Sequence, residues 1–206
     1  GSAPATIRYY TLSSPWDVTT ASYVSTKTFT IYSGSVPYGA YGHNLCISPD
    51  GTRLYFVIDW PGLTTSVVQH NFGTAWDVST LSSTPSAQKT LAYVIPGGLA
   101  FSTDGTTMYV SEIQNMNRPI YQWTLSTPWN VSSASASGYV FNIGGEAAGN
   151  LFWGAKDFWF SDDGATMCAV GKHPNGSAVT TIKRYTLSTP WRVSTAMTPT
   201  QPDVVR

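Results

Sequence analysis

Apolar residues fall in short runs along this chain, and the runs recur in a fixed order. Leu45-Cys46-Ile47, Leu99-Ala100-Phe101 and Phe158-Trp159-Phe160 are apolar throughout. Each leads into a polar turn containing Asp-Gly, and then into a second apolar run: Leu54 to Val57, Met108 to Val110, and Met167 to Val170. Runs apolar on both faces suit strands packed between neighbouring sheets. Asp-Gly between them predicts a tight hairpin, because Gly accepts φ > 0 and Asp bonds the turn backbone. An alternating strand follows at 67–72, 120–125 and 182–187, and a tryptophan corner ends it. Thr28 to Ile31, Thr90 to Tyr93 and Tyr139 to Phe141 then read as strands that open the next unit.

The pattern is an internal repeat. Ile47-Ser48-Pro49-Asp50-Gly51-Thr52-Arg53-Leu54-Tyr55 returns at 101–109 and at 160–168. Tyr10-Thr11-Leu12-Ser13-Ser14-Pro15-Trp16-Asp17-Val18 returns at 70–78, 123–131 and 185–193, with Trp16, Trp76, Trp129 and Trp191 at the same place. Units of four short strands cannot bury their own faces and must stack. Radial stacking of such sheets makes a propeller. The expected fold is all-β: a β-propeller-like array of four-stranded antiparallel blades, with three complete units and an N-terminal orphan strand, Ile7–Leu12. The units span approximately 19–78, 79–131 and 132–193. Residues 1–6 read as a flexible lead in which Gly1-Ser2 looks like a cloning remnant, and 194–206 as an extended tail. Propellers typically have four to eight blades, so three units and a strand leave the count open. Self-assembly, a longer array, and a degenerate fourth blade made from Ile7–Leu12 and Met197–Arg206 all answer to it.

Ser48 to Val57 resembles the second-to-third strand hairpin of TolB-type and YVTN-type propeller repeats. The Tyr-Thr-Leu-Ser-Thr-Pro-Trp ending at 185–191 is similar to repeat proteins of tailed phages and environmental bacteria. The resemblance runs over nearly the whole chain and implies a propeller. It carries no catalytic residue with it, since propellers host many unrelated activities.

Composition narrows the function classes. Eleven basic and eleven acidic residues cancel, which argues against a nucleic-acid partner. Charged residues make up 11% of the chain, against roughly 25% in an average domain. The surface is therefore neutral and rich in hydroxyl groups, as in many extracellular and virion proteins. No apolar run reaches the length of a membrane helix, so membrane insertion is not expected. Cys46 and Cys168 make no disulfide framework and read as buried thiols.

Recurring residues are scaffold, and residues that do not recur are where function is sought. The Asp-Gly turns and tryptophan corners share one end of the array. The other end carries loops that differ in every copy. Tyr38, Tyr41, His43, Trp60, Trp153 and His173 lie there and form the candidate ligand-binding set. The four corner tryptophans read as packing residues, and His70 as structural, because it replaces Tyr10, Trp123 and Tyr185 of the other copies. His43 and His173 lack a second ligand at metal spacing, so neither a metal nor a cofactor is expected. Asp59, Glu112 and Glu146 lie outside the turn motifs and could in principle supply a glycosidase pair. No phosphate loop, nucleophile elbow or zinc pair is present.

The expected function is a non-enzymatic recognition or adhesion module, on a virion or secreted, that binds a glycan or surface protein through the variable loops. Self-association or contact with other virion proteins would add avidity. The alternatives are a purely structural capsid-decorating or fibre protein, and a polysaccharide hydrolase or lyase.

Overall fold

A computed structural model describes residues 4–31, 41–59, 64–91, 95–113, 119–143, 153–172 and 180–197. Three four-stranded antiparallel sheets and one two-stranded sheet account for the strands. The two-stranded half-blade pairs β1 (Pro4–Leu12) with β2 (Ala21–Thr30). Blade 1 contains β3 (Tyr41–Ile47), β4 (Arg53–Asp59), β5 (Thr65–Asn71) and β6 (Ala87–Leu91). Blade 2 contains β7 (Pro96–Phe101), β8 (Thr107–Glu112), β9 (Pro119–Leu125) and β10 (Ala134–Asn142). Blade 3 contains β11 (Trp153–Phe160), β12 (Thr166–Lys172), β13 (Thr180–Leu187) and β14 (Ala196–Met197).

The all-β, blade-like architecture expected from the repeat is present. Its frame differs by one strand. The strand after each tryptophan corner pairs with the strand before it: β2 with β1, β6 with β5, and β10 with β9. It closes its own sheet and does not open the next one. The corner runs through a 3-10 turn, at 18–20, 78–80 and 131–133, and turns the chain back so that the strands on either side of it lie antiparallel. The strand at Ile7–Leu12 therefore has a partner, and it begins at Pro4, inside the segment read as a flexible lead. At the other end Val193–Thr195 form a 3-10 turn and Ala196–Met197 pair with β13, so the extended tail does not start at 194.

Each Asp-Gly turn is built alike. Gly51, Gly105 and Gly164 all have φ of 69°. The carboxylates of Asp50 and Asp104 accept from the N–H groups of Thr52 and Thr106, each at 3.0 Å, and Asp163 accepts from Ala165 N–H at 2.9 Å. Ser48 and Thr52 hold the Asp50 carboxyl down at about 2. The tryptophan corners are built alike too. Trp16, Trp76, Trp129 and Trp191 have φ between 62° and 66°, a left-handed conformation uncommon outside glycine. In the three full blades that geometry turns the tryptophan back over its own hairpin. Trp76 N–H donates to the Gly51 carbonyl at 2.9 Å, and Trp129 and Trp191 repeat the bond to Gly105 and Gly164, each at 3.0 Å. The indole covers the glycine so closely that a Cβ there would overlap its ring.

Blades stack through their second and third strands. Tyr55 of blade 1 donates its hydroxyl to the Trp129 carbonyl of blade 2 at 2.8 Å, and Tyr109 of blade 2 donates to Trp191 of blade 3 at 2.6 Å. Beside them Gln69 and Gln122 accept from Val131 N–H and Val193 N–H. Apolar clusters fill the gaps between blades, each drawing residues from two neighbouring sheets.

Candidate functional site

The first strand of each full blade, β3, β7 and β11, packs toward the centre of the array. All three carry a register break near the loop end, between Gly42 and Leu45, between Pro96 and Leu99, and between Trp153 and Asp157. Bulges of this kind re-aim side chains and recur beside functional sites. Here they present His43, Asn44, Gly97, Lys156 and Asp157 to one cleft of about 310 Å³, lined also by Pro96 and Ile113.

Asp157 ties the three blades together. It accepts from Asn44 Nδ2 of blade 1 at 2.9 Å and from its own neighbour Phe158 N–H at 2.9 Å. It also lies against Gly98 of blade 2, where an added Cβ would come within 2.8 Å of Oδ1. The Gly98 N–H in turn donates to the buried Ser111 hydroxyl at 2.7 Å. Glycine is therefore needed at 98 for blade 3 to approach. Burial, and after it the Asp157 charge, push the nearby Cys46 thiol up to about 12. Cys46 is thus a neutral thiol and offers no thiolate nucleophile at neutral pH.

His43 forms the second polar pair. Its Nε2 lies 2.8 Å from Oδ1 of the buried Asp59, at the end of β4. With the Nε2 proton directed at Asp59, Nδ1 is the accepting nitrogen. In blade 2 Glu112, at the end of β8, is buried and accepts from the Tyr121 hydroxyl at 3.0 Å. Asp59 and Glu112 are thus each engaged inside their own blade.

Of the residues singled out from sequence, His43 lines the cleft. Tyr41 and Trp153 stand at the starts of β3 and β11, at the same end of the array. Tyr38, Trp60, His173 and Glu146 lie outside the described residues. Asn44, Lys156 and Asp157 were missed, although glycines at 42, 97–98 and 154 near the start of each inner strand were a bulge signal. Among the described residues no group of His, Cys, Asp and Glu could hold a metal ion, and no helix is long and apolar enough to cross a membrane. His70 is buried, with Nδ1 3.0 Å from the Ser82 carbonyl and its ring edge-on to Phe29.

No family model and no curated protein matches this sequence. Solved structures share the fold. A protein named "putative 6-phosphogluconolactonase" from Bacteroides fragilis aligns with a TM-score of 0.55 at 14% identity, over 97% of this chain and 52% of its own. A protein of the same name from Bacteroides uniformis aligns with a TM-score of 0.50 at 11% identity, over 97% of this chain and 65% of its own. The chain thus spans between about half and two thirds of these proteins. At such identities the likeness concerns the fold alone.

It does correct one expectation. The chain was read as not an enzyme because no catalytic motif is visible, yet these two proteins of similar fold carry the name of an enzyme. The physical reason is that a blade array assembles a site from strands far apart in sequence, as Asn44 and Asp157 show. Motif spacing is blind to such sites.

Proposed function

We propose that this chain is a propeller-type recognition module that binds a carbohydrate in the cleft between the three inner strands. The observation that supports this is the Asn44–Asp157 bridge across blades, with His43 and Lys156 on the same cleft. An amide, an imidazole, an ammonium and a carboxylate at one mouth suit the alternating donors and acceptors of vicinal hydroxyl groups. Tyr41 and Trp153, at the same end, are the aromatic candidates for stacking. Exposure on a virion or secretion belongs to this reading, and rests on the low charge and the resemblance to phage-type repeats. Titration against a panel of oligosaccharides tests it. Asn44→Ala and Lys156→Ala should each weaken binding by roughly tenfold, the scale of one lost charged or bidentate contact. Unchanged affinity in both variants would end this reading.

The His43–Asp59 pair favours a second reading, lactone hydrolysis, which the names of the two fold relatives suggest. His43 Nδ1 would take a proton from water as the water oxygen bonds to the lactone carbonyl carbon. The ring C–O bond then breaks and the proton passes to the leaving ring oxygen. Acid release from 6-phosphogluconolactone by the wild type, abolished in His43→Gln, supports it; equal release by both proteins removes it.

A further inference from the structure

The tryptophan corner occurs four times, and in one copy no hairpin lies beneath it among the described residues. Trp129 and Trp191 sit on the glycine of their own Asp-Gly hairpin, as does Trp76. Trp16 has the same backbone, with φ of 66°, and the same capped 3-10 turn, with Asp17 accepting from Thr19 N–H at 3.0 Å. Among the described residues its sheet holds β1 and β2 alone, with no hairpin, and the indole is 95% exposed. The rest of the half-blade matches this. Leu12 and Tyr10 are exposed, whereas their counterparts Leu187 and Tyr185 are buried against β12. The Leu125 and Leu187 N–H groups donate to carbonyls of the hairpin turn, at Thr106 and Ala165. Among the described residues no turn of this sheet stands where it would receive the equivalent donor of Leu12.

An apolar groove of about 370 Å³ marks the same place. It runs between Ile7 and Phe29 of the half-blade and Leu45, Phe56 and Ile58 of blade 1. It is continuous with the packed interface in which Ala5, Ile7 and Tyr9 lie against the cluster of Phe29, Leu54, Ile58 and Val68.

We propose that the free edge of β1, the groove and Trp16 form one acceptor site for a β-hairpin of the repeat's own chemistry, an apolar–Ser-x-Asp-Gly-Thr–apolar segment. The incoming second strand would extend the sheet beside β1. Its turn glycine would lie under the Trp16 indole, and its first strand would fill the groove. The donor is a hairpin from another polypeptide segment and not a folded copy of this chain. Each hairpin described here already carries its own tryptophan. Blade 3 also cannot repeat the blade-to-blade contact on Val18: Cys168 and Arg184 occupy the paired positions of Tyr109 and Gln122, and an arginine has no acceptor to offer a backbone N–H.

The test uses a synthetic peptide of residues 96–112, titrated into the whole chain by calorimetry. Binding is expected. It should weaken roughly tenfold with Gly105→Ala in the peptide and again with Trp16→Ala in the protein, as for a central aromatic anchor. The same 17-residue segment, fused ahead of Pro4 through a Gly/Ser linker, should raise the unfolding midpoint, and Gly→Ala in the appended turn should cancel the gain. Absence of binding, together with an unchanged midpoint in the fusion, overturns the proposal. Binding indifferent to both substitutions also overturns it, as does a dimer in sedimentation that Trp16→Ala dissolves, since a second copy would then occupy the edge.

Discussion

The corners at Trp129 and Trp16 are two copies of one motif with opposite fates. Both have a left-handed tryptophan and a 3-10 turn capped by a side chain, Asn130 in one and Asp17 in the other. At Trp129 the ring rests on Gly105, and the preceding blade's Tyr55 bonds the backbone carbonyl. At Trp16 neither partner exists among the described residues. Val131 is fully buried beneath the preceding blade, whereas Val18 is 78% exposed. The local turn therefore forms without its tertiary partners, and the partners convert the same residues from surface to core.

Four comparisons sharpen the contrast, beginning with the largest expected effect. Trp129→Ala should cost about 3 kcal/mol, the low end of the scale for buried aromatics, because the ring is part-buried, while Trp16→Ala should stay within about 0.5 kcal/mol; urea unfolding of both variants checks this. Equal losses would mean that Trp16 is already covered. Gly105→Ala should cost about 2–5 kcal/mol, because it adds both left-handed strain and overlap with the indole. Gly138→Ala is the control: it has φ of 78° and open space around it, so only the backbone strain of about 1–2 kcal/mol applies. Tyr55→Phe and Tyr109→Phe should each cost about 1 kcal/mol, the net worth of one hydrogen bond, measured as a shift in midpoint at constant slope.

The smallest effects are those of pH. Burial holds the His70 imidazole below its usual value. The unfolded chain therefore takes up the proton first, so this contribution is complete above about 6.5 and is lost as the pH falls below it. Asp50 acts in a lower window, since its folded value is about 2 against an ordinary 3.8; its contribution is present above the ordinary value and disappears as the pH falls through about 2. Unfolding midpoints at neutral, mildly acidic and strongly acidic pH separate the two, and His70→Tyr should remove the first step alone.

Much of the fold was legible because the repeat combines a period with turn chemistry. Asp-Gly between two apolar runs marked each hairpin, and Pro-Trp marked each corner. The frame was not legible, since a strand between two turns can pair with either neighbour; β6 pairs across the corner with β5 although it lies nearer in sequence to β7. The candidate site was only partly legible. His43 stood out as a histidine in a loop unlike its counterparts. Asn44 and Asp157 are 113 residues apart and carry no common motif. Only the packing of β3, β7 and β11 brings them together.

Taken alone, the amino-acid order determined the local units: tight turns where Gly permits φ > 0, strands apolar on both faces, and a corner repeated four times. Those outcomes depend on residues within a few positions of each other, so they can be read in one dimension. Tertiary structure decided which strands share a sheet, which tryptophans are covered, and which side chains meet in the central cleft. Each of these is set by packing between blades, where burial of apolar surface selects among pairings that local chemistry leaves equal. Trp16 shows the division most plainly, with the whole local motif in place and no glycine partner among the described residues.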